Sequence, residues 1–288
     1  MGTKFYRGIR DRQMKFKTIA ISLAIIAVLS LFYWPTFRWL VMSWLSNPYY
    51  SHGFLVPIVS GFFIWTKRDE LKRGRPSVIG AIVMAVGVSV YILSYVWGMR
   101  VLSALSLVIV LSGISLSFFG GKATRAIAFP LCFLVFMIPP PFIQEMGYFL
   151  QTVSITSSGG LLRLLGLPIT TVGPEIHLKD INFTVGLPCS GINTVIALLA
   201  LAAVYSYMLM GPVYKRAALF VIAFPAAILA NILRITSIIL VANYRSVEAA
   251  TGLYHDVSSP LFFFLAFLLL ILLGRILGCR LRLNALRN

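Results

Sequence analysis

Long apolar runs recur along this chain, and they limit its fold more than any other feature of the sequence. An α-helix rises about 1.5 Å per residue, so a run of about 20 apolar residues crosses the roughly 30 Å of hydrocarbon in a bilayer. The runs that reach or approach this length cover residues 18–34, 50–66, 77–97, 101–119, 124–140, 190–210, 217–242 and 258–276. Only 11% of the 288 residues are charged, too few to cover a water-exposed surface. The sequence therefore predicts an all-α polytopic membrane protein with about eight transmembrane helices, folded as one domain over residues 1–288.

Two of these runs are interrupted by residues that break helices. Pro57 and Gly61 lie within the second run, and the fifth ends at Pro139, Pro140 and Pro141. Proline removes a backbone hydrogen bond from a helix, and at membrane depth the freed groups must be satisfied by protein or water. We therefore expect these two segments to be short, tilted or broken.

The basic residues flank the apolar runs instead of forming one stripe. Lysine and arginine number 25 against 8 aspartates and glutamates, which gives a net charge of +17. This placement is typical of topology signals, so we expect the lipid bilayer as a partner and no nucleic acid. Nineteen of the 25 fall in alternate connections on one side, which predicts that both termini are cytoplasmic in a plasma (inner) membrane protein. No small-residue cleavage pattern follows the first apolar run, so we expect that helix to be retained.

One long connection, residues 141–189, departs from the pattern of spans and falls on the extracytoplasmic side. Residues 142–168 space apolar side chains at helical intervals, which is typical of an amphipathic helix lying in the membrane interface. Residues 169–186 alternate β-branched and polar residues around a Gly-Pro pair. We predict a small β-hairpin there, leading directly into Cys189.

Three chemically reactive residues are predicted to lie at one depth of the extracytoplasmic leaflet. Cys189 begins the sixth span, and His255 immediately precedes the eighth on the same side. Arg234 lies seventeen residues beyond Ala217 at the cytoplasmic end of the seventh span, which places it roughly 26 Å across the membrane. The three side chains can therefore meet in one extracytoplasmic site.

Arg234 and Cys189 each allow a functional and a structural interpretation. A buried arginine must be paired or hydrated, and Asn231 lies on its helical face, but an arginine near a helix end can also extend to lipid headgroups. Cys189 precedes Ser190 and Gly191 at a predicted helix start, where the helix dipole and a guanidinium would favour the nucleophilic thiolate. Gly191 would let a carbonyl approach backbone N–H groups, as in an oxyanion hole. The alternative is a buried inert thiol.

The histidines and the remaining cysteines complete the set of candidates. His255 can act as a general acid or base oriented by Asp256, although a single loop histidine is more often only solvated. His52, at the extracytoplasmic end of the second span, can line the same cavity. Cys132 and Cys279 lie at other depths, so neither can form a disulfide with Cys189. The ligands are too scattered for a metal site, and no nucleotide-binding motif occurs, so no cofactor is expected.

The order of these motifs resembles that of the exosortase and archaeosortase family of membrane-embedded cysteine transpeptidases. The matching segments, from the N-terminus onward, are "SHGFLVP" at 51–57, "PCSGINTVIALLALAAVYSYM" at 188–208, "ANILRI" at 230–235 and "HD" at 255–256. The resemblance implies that Cys189, Arg234 and His255 are catalytic, with the residues around them supporting.

The resemblance also implies a substrate class. Such enzymes act on exported proteins with a C-terminal tail made of a short motif such as Pro-Glu-Pro, a hydrophobic helix and a basic cluster, in protein sorting associated with exopolysaccharide production. The implied reaction is tail cleavage through a thioester, with transfer to a surface acceptor. Two alternatives stay open: hydrolysis of the thioester, and a transporter or channel that binds an anionic solute at Arg234.

Overall fold

A computed structural model describes residues 20, 23–72, 75–178 and 181–281. The basic residues of segments 1–19 and 282–288, which contribute to the predicted topology, lie outside these ranges. The helices, in chain order α1 to α12, are Leu23–Phe32, Trp34–Ser46, Leu55–Thr66, Arg68–Lys72, Ile79–Val96, Arg100–Ala126, Ala128–Phe133, Ile143–Leu164, Ile192–Met208, Val213–Tyr244, Val247–Thr251 and Leu253–Ile276. The predicted all-α polytopic membrane fold is confirmed.

The number of spans differs from the expected eight. Within the described residues, five helices are long and apolar enough to cross a membrane: α5, α6, α9 with the turn before it, α10 and α12. A sixth is possible if α1 and α2 form one span bent by 74°. Pro35 lies in the first turn of α2 and cannot donate the hydrogen bond that a continuous helix needs. The count of eight is therefore not confirmed.

The two runs that the sequence marks as interrupted are short. Residues 50–66 form a 3-10 helix (Pro48–Phe54) followed by α3, which has only 12 residues. Residues 124–140 contribute α7 and a 3-10 helix (Leu134–Met137). The two segments pack together, since the Ser60 hydroxyl donates to the carbonyl of Pro130 and the Phe63 and Phe129 rings meet edge to face. Ser60 thus satisfies a carbonyl of the other broken segment, as polar groups freed at membrane depth require.

The long helix α10 organises the half of the molecule that contains the candidate site. It packs against α8, α9, α11 and α12. Its contact face carries small buried residues, which let neighbouring backbones approach closely. They are Ala223, Ala226, Ala227 and Ala230. This packing fixes the position of Asn231 and Arg234, which follow on the same helix.

The predicted hairpin is a three-stranded antiparallel sheet. Strands β1 (Ile169–Val172), β2 (Glu175–Leu178) and β3 (Ile181–Thr184) follow one another in spatial order. Buried side chains of the sheet, α8 and α10 form one core cluster. It includes Ile176 and Leu178 from β2, Ile155 from α8, and Ile235 and Ile239 from α10. Two further short strands, β4 (Leu209–Met210) and β5 (Arg280–Leu281), pair with each other at the ends of α9 and α12.

The predicted amphipathic helix is α8, and its small and polar face is buried against α10. Gly159 of α8 lies so close to β1 that a Cβ atom there would be 2.7 Å from Cγ2 of Thr171. The helix packs against β1 and β2 and also contacts α9. Its position in the membrane interface stays a prediction.

Candidate active site

Three separate elements bring the reactive residues together. Cys189 ends a 3-10 turn (Leu187–Cys189) just before α9, Arg234 lies on α10, and His255 lies in the first turn of α12. Pro188 favours this turn because its fixed φ suits the first turn of a helix, where its missing N–H has no intrahelical partner to lose. We call Cys189, Arg234 and His255 the site triad.

The His255 imidazole lies between the other two members of the triad. Its Nε2 atom is 3.7 Å from the Cys189 Sγ atom and 3.5 Å from Arg234 Nη2. A guanidinium has only donors, so the contact with Arg234 favours a lone pair on Nε2. That lone pair can accept the thiol proton of Cys189. The proton of the neutral ring is then on Nδ1, which lies 3.6 Å from Asp256 Oδ1.

Arg234 is buried, with 7% of its surface exposed. Its Nε atom donates to the Ser258 hydroxyl at 3.3 Å, and that hydroxyl donates to the His255 carbonyl oxygen at 2.9 Å. Ser258 is fully buried and so links the arginine to the backbone that carries the histidine. No aspartate or glutamate among the described residues forms an ion pair with Arg234 within 4.0 Å. Its positive charge is therefore left for a ligand or a developing negative charge.

A second network fixes the backbone of Cys189. The Asn231 side-chain amide donates to the Cys189 carbonyl oxygen at 3.1 Å and to the Ser154 hydroxyl at 2.9 Å. The Ser154 hydroxyl donates to the Ser190 carbonyl oxygen at 3.4 Å. Asn231, Ser154 and Ser190 are each at most 2% exposed. Because these groups are shielded from water, the hydrogen bonds among them define the position of the nucleophile tightly.

Gly191 allows this network to form. It has φ +89°, a conformation that other residues rarely adopt, and it connects the 3-10 turn to α9. A Cβ atom at this position would lie 2.7 Å from Cγ of Asn231. Glycine is thus required both by the backbone angle and by the close approach of the asparagine.

An open cavity of about 240 Å³ adjoins the thiol and the imidazole. Its walls are mostly apolar and come from the end of the sheet, from α10 and from α11. The lining residues are Phe183, Thr184, Val185, Cys189, Ile235, Ile238, Ile239, Thr251 and His255. Cys189 and His255 are both partly exposed, so the reacting atoms face a space that a substrate can enter.

Some predicted residues lie at the margin of the site or away from it. Asp256 is 83% exposed, so water weakens its interaction with His255. His52 lies on the 3-10 helix Pro48–Phe54, where its ring stacks on Tyr50 at 5.6 Å. No hydrogen bond in the described part of the chain connects His52 to the site triad. His52 is not one of the residues that line the cavity, so its expected place in the cavity wall is not found.

Two supporting residues, Ser154 and Ser258, were not predicted from the sequence. Ser258 follows His255 by three positions on α12, a spacing that places both on one helical face. Gln151, Ser154 and Ser158 form a buried polar stripe along the amphipathic helix α8. Both spacings are visible in the sequence and indicate polar faces turned toward a partner.

Among the residues that the structure describes, no group of three or more histidines, cysteines, aspartates and glutamates is placed to hold a metal ion. The three cysteines of the chain are free. Cys279 packs in a separate cluster with Tyr205, Leu209 and Leu219. Cys132 lies on α7. Neither is part of the site triad, so each provides a control for Cys189.

Comparison with known protein families gives a match along most of the chain. The family model that describes the transmembrane exosortases matches residues 44–272, a range that contains the site triad and every residue of its supporting network. Comparisons with curated proteins and with solved structures gave no match. Exosortases are, in general, membrane-embedded cysteine transpeptidases that sort exported proteins. The chain therefore belongs to the transmembrane exosortase family.

Proposed function

We propose that this protein cleaves the C-terminal sorting tail of exported proteins, with Cys189 as nucleophile, His255 as general acid and base, and Arg234 as the group that stabilises the oxyanion. The observation that supports this most strongly is the position of His255 Nε2, within 3.7 Å of the thiol and 3.5 Å of the guanidinium. A thiol, a base and a fixed cation in contact are the components of acyl transfer.

In the first step, the Cys189 thiol gives its proton to Nε2 of His255. The thiolate attacks the carbonyl carbon of the scissile peptide, so a C–S bond forms and the carbonyl oxygen gains the negative charge. Arg234 Nη2, close to His255 Nε2, and the backbone N–H groups at the start of α9 would stabilise that oxygen. Because Arg234 is buried and has no carboxylate partner among the described residues, little of its field is screened or neutralised.

The tetrahedral intermediate then expels the tail. The C–N bond breaks, the His255 imidazolium gives its proton to the departing amine, and the N-terminal part of the substrate stays on Cys189 as a thioester. In the second half, His255 takes a proton from the acceptor, which attacks the thioester and releases the thiolate. An amine acceptor gives an amide, and water gives a free carboxylate.

The proposed substrate carries a short recognition motif, a hydrophobic helix and a basic cluster, in that order. The hydrophobic helix would lie in the bilayer and the basic cluster would stay on the cytoplasmic side, as the distribution of charge in this chain also predicts for its own termini. The motif would then reach the extracytoplasmic leaflet, where we place the site triad. Family membership supports exported proteins as substrates in general.

The test is co-expression with a tagged exported protein that ends in such a tail. The wild type should shorten the tagged protein on a gel, Cys189→Ala should leave it full length, and Cys132→Ala should behave as the wild type. Cleavage by Cys189→Ala at the wild-type rate would overturn the proposal. An anion transporter that uses Arg234 would tolerate Cys189→Ala in an uptake assay, so the same variant separates the two functions.

The new C-terminus of the product separates transfer from hydrolysis. Mass spectrometry of the shortened protein should give a mass above that of the free acid if an amine acceptor resolves the thioester. A free carboxylate at that position would show that water is the acceptor.

A further inference from the structure

Strand β3 is an edge strand that borders the candidate site. The sheet has the order β1-β2-β3, so β3 has one neighbour within the sheet. Cys189 follows Thr184, the last residue of β3, by five positions. Thr184 and its neighbours Phe183 and Val185 line the same cavity as Cys189 and His255. The edge and the nucleophile therefore face one space.

The register shows which backbone groups of β3 face away from β2. The Val185 N–H donates to the Pro174 carbonyl at 2.9 Å, which makes these two residues a hydrogen-bonded pair. In an antiparallel ladder such pairs alternate, so Phe183 also bonds toward β2, opposite Ile176. The N–H and C=O groups of Asn182 and Thr184 then point to the free edge. No described residue outside the sheet hydrogen-bonds these outward backbone groups.

The edge is held rigidly. The side-chain amide of Gln151, on α8, donates to the Val185 carbonyl oxygen. Pro174 has no N–H, so this carbonyl would otherwise lack the partner that the ladder normally supplies. Ile176 and Leu178 of β2 are buried in the core cluster shared with α8 and α10. An unpaired strand edge fixed in this way is preorganised to accept another strand.

We propose that the substrate segment beside the scissile bond binds as an added strand on the free edge of β3, through the backbone groups of Asn182 and Thr184. This inference rests on the proposed function, because a transpeptidase must hold an extended peptide with its carbonyl at the thiol. Main-chain hydrogen bonds to β3 fix the register of the peptide relative to the thiol. Alternate side chains of the peptide enter the apolar cavity beside Ile235 and Ile239.

The first test removes one outward N–H. Thr184→Pro deletes a donor that does not belong to the β2–β3 ladder, and proline is tolerated at such edge positions. We expect kcat/KM for tail cleavage by the purified full chain to fall about 10-fold or more, since the lost bond also misplaces the peptide. The matched comparison, Thr184→Ala, keeps the N–H and changes only a side chain in the cavity wall, so its loss in kcat/KM should be clearly smaller than that of Thr184→Pro. Both variants should unfold at the wild-type temperature.

The outcome also separates this proposal from the proposed function. If Cys189→Ala still cleaves the tail, the proposed function fails. If cleavage requires Cys189 but Thr184→Pro and Thr184→Ala cleave equally well, only the added strand is overturned.

A second test stays informative if Thr184→Pro does not fold. Thr184→Cys, combined with Cys189→Ala, is mixed with tagged substrates that carry single cysteines at successive positions around the cleavage point, and disulfide crosslinks are measured. An added strand predicts strong crosslinks that alternate with weak ones, because successive side chains point to opposite faces. Uniform crosslinking, or crosslinks only between two copies of the exosortase, would overturn the proposal.

Discussion

Arg234→Met gives the sharpest separation of catalysis from folding in this protein. Arg234 Nη2 lies 3.5 Å from the nitrogen that also contacts the Cys189 thiol, so it can reach an oxygen that forms next to Sγ. Loss of one preorganised oxyanion donor typically raises the barrier by about 3 to 4 kcal/mol, which lowers kcat by about 10² to 10³-fold. We expect a decrease of that size.

The same substitution should leave the protein folded. Burying a charge that has no carboxylate partner costs free energy, and an apolar side chain of similar length removes that cost. Ser258 keeps its donated bond to the His255 carbonyl oxygen in the variant. Methionine at position 234 should therefore leave the melting temperature unchanged or raise it. Arg234→Lys should lower kcat by a similar factor. A lysine ammonium cannot donate to Ser258 and reach the reacting oxygen at once, as the planar guanidinium can.

Single-turnover release of the tail, measured with purified protein in lipid nanodiscs, would give the rate directly. Arg245→Met is the matched control. Arg245 is exposed just after the end of α10, so this substitution removes the same charge away from the site. A cleavage rate of Arg234→Met within about 3-fold of the wild-type rate would refute the assigned role, because loss of a donor that lowers the barrier by about 3 kcal/mol must slow the reaction by more than about 100-fold.

Two further predictions concern Gly191, which positions the nucleophile, and the pair of His255 and Asp256. Gly191→Ala should lower the cleavage rate at least about 10-fold, since it strains a residue at φ +89° and forces Asn231 away from the Cys189 carbonyl. The control is Gly160→Ala, which should cleave like the wild type because open space surrounds that glycine. His255→Gln should abolish cleavage while Asp256→Asn lowers it less than about 10-fold, because the carboxylate is mostly exposed and lies 3.6 Å from the ring; equal losses in a gel assay would contradict this ranking.

The sequence predicts a common depth for Cys189, Arg234 and His255, which is a condition for their closeness but does not by itself establish it. The rise per residue of a helix is fixed, so counting along the predicted span 217–242 from its expected cytoplasmic end predicts Arg234 near the level of the other two. The structure adds which faces of the helices meet. Ser258 and Ser154 could not be assigned to the site from their spacing, because a polar face does not reveal its partner.

The number of spans and the strand count were harder to predict for a different reason. Hydropathy measures the length of an apolar run, but the chain bends by 74° between α1 and α2 next to Pro35, just past the first run. The proline-bearing segments at 50–66 and 124–140 are short elements that pack against each other. The third strand of the sheet depends on pairing between β2 and β3, which local alternation alone does not fix. His52 is not among the residues that line the cavity, since a shared depth predicted from the sequence does not determine lateral position.

The most direct measurement is a search for the thioester itself. Purified protein incubated with a tailed substrate, quenched in acid and digested, should yield a peptide that contains Cys189 and carries the mass of the N-terminal substrate fragment. Neutral hydroxylamine should release that mass, and Cys189→Ala should show neither the adduct nor cleavage. Efficient cleavage with no adduct on Cys189, continuing in Cys189→Ala, would contradict the account.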